Sequence, residues 1–296
     1  MIYFLIVNYF STNLVSKLIS SIPASINVKY KIVIVNNSVE DYSIKELSSK
    51  SVHILNNQDN LGFGCACNFG LQWIYNIDSN ATVWIINPDA YFDTISLEKV
   101  KYFFYSHPEV SILGTIIHTP CEKIWFAGGK FLSKSGSIST PDLLTGTNLD
   151  YVACDWVSGC SLIINLKNFS KCPQFDDAYF LYYEDFDFCR RYANQGYLIA
   201  VTKDFGVLHQ PSSITNRYIF QKTKHSTYSY LLTLKRYSNN FILIIRLVRL
   251  IMNALVLTLF RPKVAYGKFA GLLMYARQIV KTNKTIHHTD EHRNPV

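Results

Sequence analysis

The segment Val83-Trp84-Ile85-Ile86-Asn87-Pro88-Asp89 decides how this chain folds. Four apolar residues in a row suit a strand buried on both faces, and Asn-Pro-Asp stops it, because proline has no N–H to continue a ladder. The pattern occurs three times before. Residues 2–7 are apolar and run into Asn8, residues 32–35 run into Asn36-Asn37-Ser38, and residues 52–55 form a third run. Between them, Leu14, Val15, Leu18, Ile19 and Ile22 share one helical face that Pro23 ends, and Ala66, Phe69, Trp73, Ile74 and Ile77 recur at helical spacing. Strands alternating with helices predict βαβ units and an α/β fold with a parallel sheet covered on both sides. In such sheets ligands bind outside the carboxyl ends of the strands. Asn8, Asn36, Asn37, Asn87 and Asp89 all fall there, although Asn and Asp also serve simply to make turns.

Farther along, residues 94–107 read as an amphipathic helix, and strand-like runs recur at 110–113, 161–164 and 198–201. Residues 127–150, rich in Gly, Ser and Thr, read as a long loop of the kind that serves as a lid. The chain has 296 residues, 49% apolar and 17% charged, which excludes intrinsic disorder. Its net charge of +8 is uneven: residues 1–216 carry 15 basic and 19 acidic side chains, and residues 217–296 carry 14 basic and 2 acidic. A mildly acidic body with a strongly basic last quarter is not the pattern of a nucleic-acid binder, and no nucleic-acid partner is expected. Residues 241–260 are aliphatic but contain Arg246 and Arg249. A cation at mid-bilayer costs roughly 2.5–3.5 kcal/mol, so a helix lying on a membrane surface is favoured over one crossing it, with Arg261, Lys263 and Lys268 adding charge. The alternative is a terminal helix packed on its own domain. The 7 cysteines are odd in number and form no C-x-x-C pair, which argues against structural zinc. With no basic stretch or cleavage site of a secretion signal at the start, they are read as reduced thiols, mostly buried, in a cytosolic protein.

Four motifs carry chemistry. Asn60-Leu-Gly-Phe-Gly-Cys-Ala-Cys-Asn68-Phe-Gly70 follows the third strand and opens a helix, a place suited to a diphosphate. It is not a dinucleotide fingerprint, since Cys67 stands where the third glycine is required, and taken alone such a turn is more often structural than a phosphate contact. Asn87-Pro88-Asp89 offers a carboxylate to a hard divalent cation. Glu184-Asp185-Phe-Asp187 places three acids within four residues, where mutual repulsion favours a general base. Acids also stabilise a helix start, and Asp187 is expected to be the most structural of the three. His209 follows a strand and is a candidate contact for a metal or diphosphate.

The order of these motifs, together with Asp155-Trp156-Val-Ser-Gly159 and Phe-Leu-Tyr-Tyr-Glu-Asp-Phe-Asp, resembles family 2 glycosyltransferases, and within them rhamnosyltransferase-type enzymes of bacterial O-antigen and surface-polysaccharide assembly. The resemblance spans roughly residues 1–215. It implies a GT-A fold, with a Rossmann-like nucleotide-binding half built on a central, mostly parallel sheet. The expected organisation is a catalytic domain over 1–216 and a helical, basic, membrane-associating extension over 217–296. The resemblance also implies Mg²⁺ or Mn²⁺, a nucleotide-sugar donor such as dTDP-rhamnose, and inverting transfer. The acceptor would be a polyprenyl-diphosphate-linked saccharide at the cytoplasmic face of the inner membrane. By position, Asn8, Asn37, Asn60, Gly62, Asn68 and Asn87 would bind the donor. Trp156 and Gly159 would lie beneath the sugar and acceptor, Asp89 and His209 would meet the metal, and Asp185 would be the base with Glu184 beside it. The chain departs from the family pattern in having Asn36-Asn37 after the second strand and Asn-Pro-Asp in place of Asp-x-Asp. A UDP- or GDP-hexose donor, or a non-catalytic sugar-binding scaffold, are the competing readings. A nucleotidyltransferase is disfavoured because Asn8-Tyr-Phe-Ser-Thr replaces the Gly-rich basic loop it needs after the first strand.

Overall fold

A computed structural model describes residues 1–23, 27–92, 96–210 and 215–291, without the side chains of 215 and 281–291. The chain divides into two units, the first comprising Met1–Leu132, Ser137–Phe180 and Glu184–Ile214. The second comprises Ser133–Gly136, Leu181–Tyr183 and Thr215–Val296.

The first unit opens as the apolar runs dictate: β1 (Ile2–Asn8), α1 (Thr12–Ser21), β2 (Tyr30–Asn36), β3 (Val52–Asn56), α2 (Phe63–Ile77) and β4 (Thr82–Ile86). Then follow β5 (Ala90–Tyr91), α3 (Leu97–Ser106), β6 (Val110–His118), β7 (Ile124–Phe126), β8 (Lys130–Leu132), β9 (Ser137–Ser139), β10 (Val152–Ala153), β11 (Ser161–Asn165), α4 (Glu184–Ala193) and β12 (Leu198–His209). The main sheet runs β10-β12-β6-β11-β4-β1-β2-β3, with β5 on β12 and β7 on β6. Strands β3, β2, β1 and β4 are mutually parallel, and β6 is parallel to β12, whereas β11 runs antiparallel between β4 and β6. Every residue of β1 is buried. Phe4 stacks on Trp84 at 5.6 Å, Phe92 meets the Trp84 ring edge-on at 5.0 Å, and the three rings form the centre of the core.

Several sequence expectations are corrected. The helix expected over 94–107 is described from Leu97 to Ser106, and residues 94 and 95 lie outside the described residues. The stretch 127–150 is not a plain loop. It contains the hairpin β8–β9, whose short strands alternate too weakly to be read in advance. Strand β12 is far longer than residues 198–201, because a register shift between Thr202 and Gly206 absorbs its polar middle and lets pairing with β6 resume. The cysteines are all free, but only Cys67, Cys160 and Cys189 are buried, and Cys121 is exposed.

In the second unit, α5 (Ile219–Tyr237), α6 (Asn240–Phe260) and α7 (Pro262–Glu291) pack on one another. Helices α5 and α7 approach closely because α7 presents Gly267 and Gly271. A Cβ at Gly271 would stand 2.5 Å from the Lys224 carbonyl oxygen and 2.7 Å from Thr227 Cβ. Arg246 donates to the Ser135 carbonyl at 3.0 Å. Helix α6 is long and apolar enough to cross a membrane, with a mean hydropathy of 2.2.

A buried polar cluster lies inside the apolar sheet of the first unit. Ser161 Oγ, wholly buried, accepts from Trp84 Nε1 at 2.9 Å and from Thr115 Oγ1 at 2.8 Å, joining β4, β11 and β6. Leaving a buried donor unpaired costs about 1–3 kcal/mol. Ser161→Ala orphans two donors and is expected to cost roughly 2–4 kcal/mol in urea unfolding.

Candidate active site

The parallel register aligns the last residues of the first three strands: Asn8 pairs with Asn36, and Asn36 with Asn56. Their side chains join in the same order. Asn8 Nδ2 donates to Asn36 Oδ1 at 3.1 Å, and Asn36 Nδ2 to Asn56 Oδ1 at 3.2 Å. Asn8 Oδ1 also accepts from the backbone N–H and hydroxyl of Ser11, which ties the end of β1 to the start of α1. Asp41, a residue the motifs did not single out, accepts from Asn8 Nδ2 at 3.0 Å and from the Thr12 and Ser43 hydroxyls. Burial alone would raise its pKa, but these hydrogen bonds outweigh it and hold the carboxyl below its usual value.

Asn37 organises the loop before α2. It donates to Asn60 Oδ1 at 2.8 Å and to the Gly62 carbonyl at 3.2 Å, and it accepts from Asn57 Nδ2 and the Leu61 N–H, both at 3.0 Å. Gly62 has φ +79°, and a Cβ there would stand 2.2 Å from the Phe180 carbonyl oxygen. Glycine is therefore required twice over, for the conformation and for the close approach. Asn68, on the first turns of α2, exchanges two hydrogen bonds with the backbone of Phe175, at 2.9 and 2.7 Å. Asn8, Asn37 and Asn68 thus spend their polar atoms on the protein, shaping the crevice rather than lining it with free amides.

At the end of β4, the Asn87 N–H donates to the Cys160 carbonyl at 3.0 Å, and the Ala90 N–H to the Asn87 carbonyl, which closes the turn around Asp89. Asp89 is 7% exposed, and His209, at the end of β12, places Nε2 3.2 Å from Asp89 Oδ1. Pairing of His209 with Ala90 in the sheet enforces this meeting of residues 120 positions apart. The Trp125 ring covers the imidazole edge-on at 4.6 Å. His209 Nδ1 is buried with no hydrogen-bond partner. A carboxylate oxygen and an imidazole nitrogen suit a divalent ion such as Mn²⁺. No group of three or more His, Cys, Asp or Glu that could hold an ion occurs among the described residues. The pair therefore fits an ion whose shell is completed from outside the chain, as diphosphate oxygens do.

The acids of the third motif open α4. Tyr182 and Tyr183, just before it, have φ of +68° and +66°, a left-handed conformation that costs roughly 1–2 kcal/mol per residue. Asp185 is half-buried. Its Oδ2 accepts from the Gly159 N–H at 2.9 Å and its Oδ1 from the Phe186 N–H at 2.8 Å. Loss of solvation raises its pKa, and the backbone N–H groups only partly offset that rise. Glu184 is 6% exposed, its Oε2 has no hydrogen-bond partner, and burial followed by repulsion from Asp185 pushes its pKa well up. Asp187, wholly buried, is neutralised by Arg191 at 2.7 Å, one helical turn on. It therefore does structural work, as its place in the motif suggests.

Trp156 lies against Phe126 at 5.1 Å and Phe186 at 6.1 Å, over a glycine: a Cβ at Gly129 would stand 2.1 Å from the indole nitrogen. Its Nε1–H is buried and has no hydrogen-bond partner. Asp155 beside it is fixed by Arg190 at 2.9 Å and by the Phe131 N–H. Gly159 and Cys160 are the junction of the site. The Gly159 N–H donates to Asp185, and the Cys160 carbonyl accepts from Asn87, so one dipeptide fastens the start of α4 to the turn that carries Asp89.

The model of the family described as "Glycosyl transferase family 2" matches residues 3–162, more than half of the chain. It includes the strand ends, Asp89, Trp156 and Gly159 and stops before Glu184, Asp185 and His209. Among solved structures the chain is similar to GalNAc-T7, solved with UDP, GalNAc and Mn²⁺. That likeness has 14% identity and a TM-score of 0.56, over 79% of this chain and 47% of that one, so the chain spans about half of its length. It is also similar to the mannosyltransferase PcManGT from Pyrobaculum calidifontis, solved with GDP-Man and Mn²⁺. Here the identity is 10% and the TM-score 0.52, over 93% of this chain and 86% of that one. No curated protein matches significantly. At such identities the structural likeness establishes the fold and the sequence model establishes the family: the chain belongs to glycosyl transferase family 2 and carries its GT-A fold.

Proposed function

We propose that the protein is an inverting transferase that moves a sugar from a nucleotide-sugar donor to a growing surface polysaccharide carried on polyprenyl diphosphate. L-Rhamnose from dTDP-rhamnose is the first donor to test. In this reading residues 1–216 form the catalytic domain, and the basic extension 217–296 attaches it to the cytoplasmic face of the inner membrane. The observation that carries the proposal is the Gly159-Cys160 link, which fastens a desolvated carboxylate, Asp185, to the turn holding the Asp89–His209 pair. The solved relatives with UDP or GDP-Man and Mn²⁺ support a nucleotide donor and a divalent ion.

An acceptor hydroxyl is a poor nucleophile, so its proton must leave as the C1–O bond to the diphosphate breaks. Asp185 takes that proton. Its raised pKa makes it a better base than an exposed aspartate, and the Gly159 and Phe186 N–H groups fix the carboxylate in place. Attack on the face opposite the leaving group inverts the anomeric centre. Asp89 and His209 would hold Mg²⁺ or Mn²⁺, which when bound supplies positive charge to the departing diphosphate. Asn60 and Gly62, on the loop that Asn37 shapes, and Asn87, on the turn after β4, would face the donor, and Trp156, its indole N–H buried over Gly129, would lie beneath the sugar and acceptor. Burial, followed by repulsion from Asp185, shifts Glu184 toward its protonated form, which disfavours a second negative charge at the base.

The test is a donor screen by thermal shift and hydrolysis, with dTDP-, UDP- and GDP-sugars, each with and without Mn²⁺. Stabilisation by one donor class that depends on Mn²⁺ is expected, and no binding or hydrolysis with any donor would favour a sugar-binding scaffold. Asp185→Asn should retain donor binding and lose transfer by at least ~10²-fold, the usual size of a general-base contribution. Near-normal turnover would remove Asp185 from the role.

Glu184 gives a prediction of opposite sign to an ordinary salt-bridged acid. Its folded pKa is raised, so the folded state binds more protons than the unfolded one, and stability falls as pH rises above the unfolded value. Glu184→Gln should therefore stabilise the protein more at pH 8 than at pH 5 in parallel thermal melts. A gap that narrows with rising pH would show that Glu184 ionises freely.

A further inference from the structure

Helix α6 leaves more than half of its circumference uncovered, with Ile244, Ile251, Val256 and Phe260 exposed on either side of a central stripe. Phe241, Ile245, Val248, Met252, Leu255 and Leu259 are between 46% and 81% exposed and follow the i, i+4, i+7 spacing of a single stripe. Twenty-one residues at 1.5 Å each make the helix about 31 Å long, and the stripe runs nearly its full length. Ala254, on the opposite face, is wholly buried where α6 packs within its own unit. The stripe ends beside a cleft of about 590 Å³ lined by Arg217, Tyr218, Lys263 and Tyr266 together with the first residues of α5. Only Phe260, Arg261 and Pro262 separate Leu259 from Lys263.

We propose that α6 lies in the plane of an anionic bilayer with this stripe among the acyl chains, and that the Arg217–Lys263 cleft receives the phosphate of an anionic phospholipid. The proposal deepens the membrane attachment proposed above and rests on it. Three observations select this occupant and this orientation. Residues 217–280 contain eleven Lys and Arg and no Asp or Glu, so the surface complements anionic lipid and would repel a second copy of itself. Arg249 is exposed on the flank of the stripe, whereas Arg246 lies nearer the packed side and donates to Ser135. Lying flat lets Arg249 reach headgroups, whereas crossing the bilayer would place both cations near its middle. Tyr218 and Tyr266, at the mouth of the cleft, have the amphipathic rings that settle at headgroup depth.

Flotation of the full chain with phosphatidylcholine vesicles, with and without phosphatidylglycerol, tests this. Wild type should float with the phosphatidylglycerol vesicles. Arg217→Gln with Lys263→Gln should weaken that binding about ten-fold more than the charge-matched pair Lys235→Gln with Arg236→Gln, because a phosphate in the cleft adds charge-assisted hydrogen bonds to the general attraction. Val248→Glu should abolish it. Equal weakening by the two charge-matched pairs would overturn the cleft, and undiminished binding of Val248→Glu would overturn the stripe. Resistance to alkaline carbonate, as a membrane-crossing protein shows, would overturn the in-plane orientation. If wild type binds no vesicle, membrane attachment itself falls, and a dimer that Val248→Glu dissociates in sedimentation would assign the stripe to a second copy.

Discussion

The parallel, in-register pairing of β1, β2 and β3 is the constraint on which the rest of the first unit depends. The register brings the three strands to a common end although β3 starts two residues later than β2, and each ends in asparagine. The amide is long enough to reach its neighbour's and carries both donor and acceptor, so Asn8, Asn36 and Asn56 form a row of hydrogen bonds just past the ladder. That row satisfies polar groups at a buried edge where an unpaired amide would be costly. It also sets the height at which the following loops begin. The loop held by Asn37, the glycine turn at Gly62 and the start of α2 are built on that platform.

The site adds a second, electrostatic constraint. Three acids stand at the start of α4, and each is treated differently. Asp187 is buried and neutralised by Arg191, Asp185 is partly compensated by two N–H groups, and Glu184 has burial without compensation. One short motif thus yields a structural ion pair and two desolvated carboxyls with raised pKa values, because the α-helix points successive residues into different surroundings. The strained backbone at Tyr182 and Tyr183 is the local cost of starting the helix at that angle.

Much of this was legible in the sequence. Apolar runs identified β1 to β4, continuous in β1, β2 and β4, which are buried on both faces, and interrupted by His53 in the half-buried edge strand β3. The Asn-Pro-Asp stop and the Glu-Asp-Phe-Asp cluster stood out as candidate site motifs, and the family resemblance gave them roles. Asp41 was not legible, since an acid in a polar loop has no periodicity to betray it, and only the return of the chain past β2 brings it to Asn8. The tasks of Asn37 and Asn68 were hidden for the same reason: their partners, Asn60 and the Phe175 backbone, are distant in sequence. The long β12 escaped notice because its polar middle breaks the apolar run that marks a strand.

Sequence by itself determined strands β1 to β4 with the helices between them, the family and the charge division, because each rests on composition, spacing or an ordered motif, all of which are properties of neighbours along the chain. Tertiary structure alone decided which groups meet. It brought His209 to Asp89 through strand pairing and Asp185 to Gly159 through the start of α4. It also showed that the apolar residues of α6 face outward as one stripe rather than into a core. The physical reason is that hydrogen bonds, desolvation and exposure are set by distances in space, and those are fixed only when the whole chain has packed.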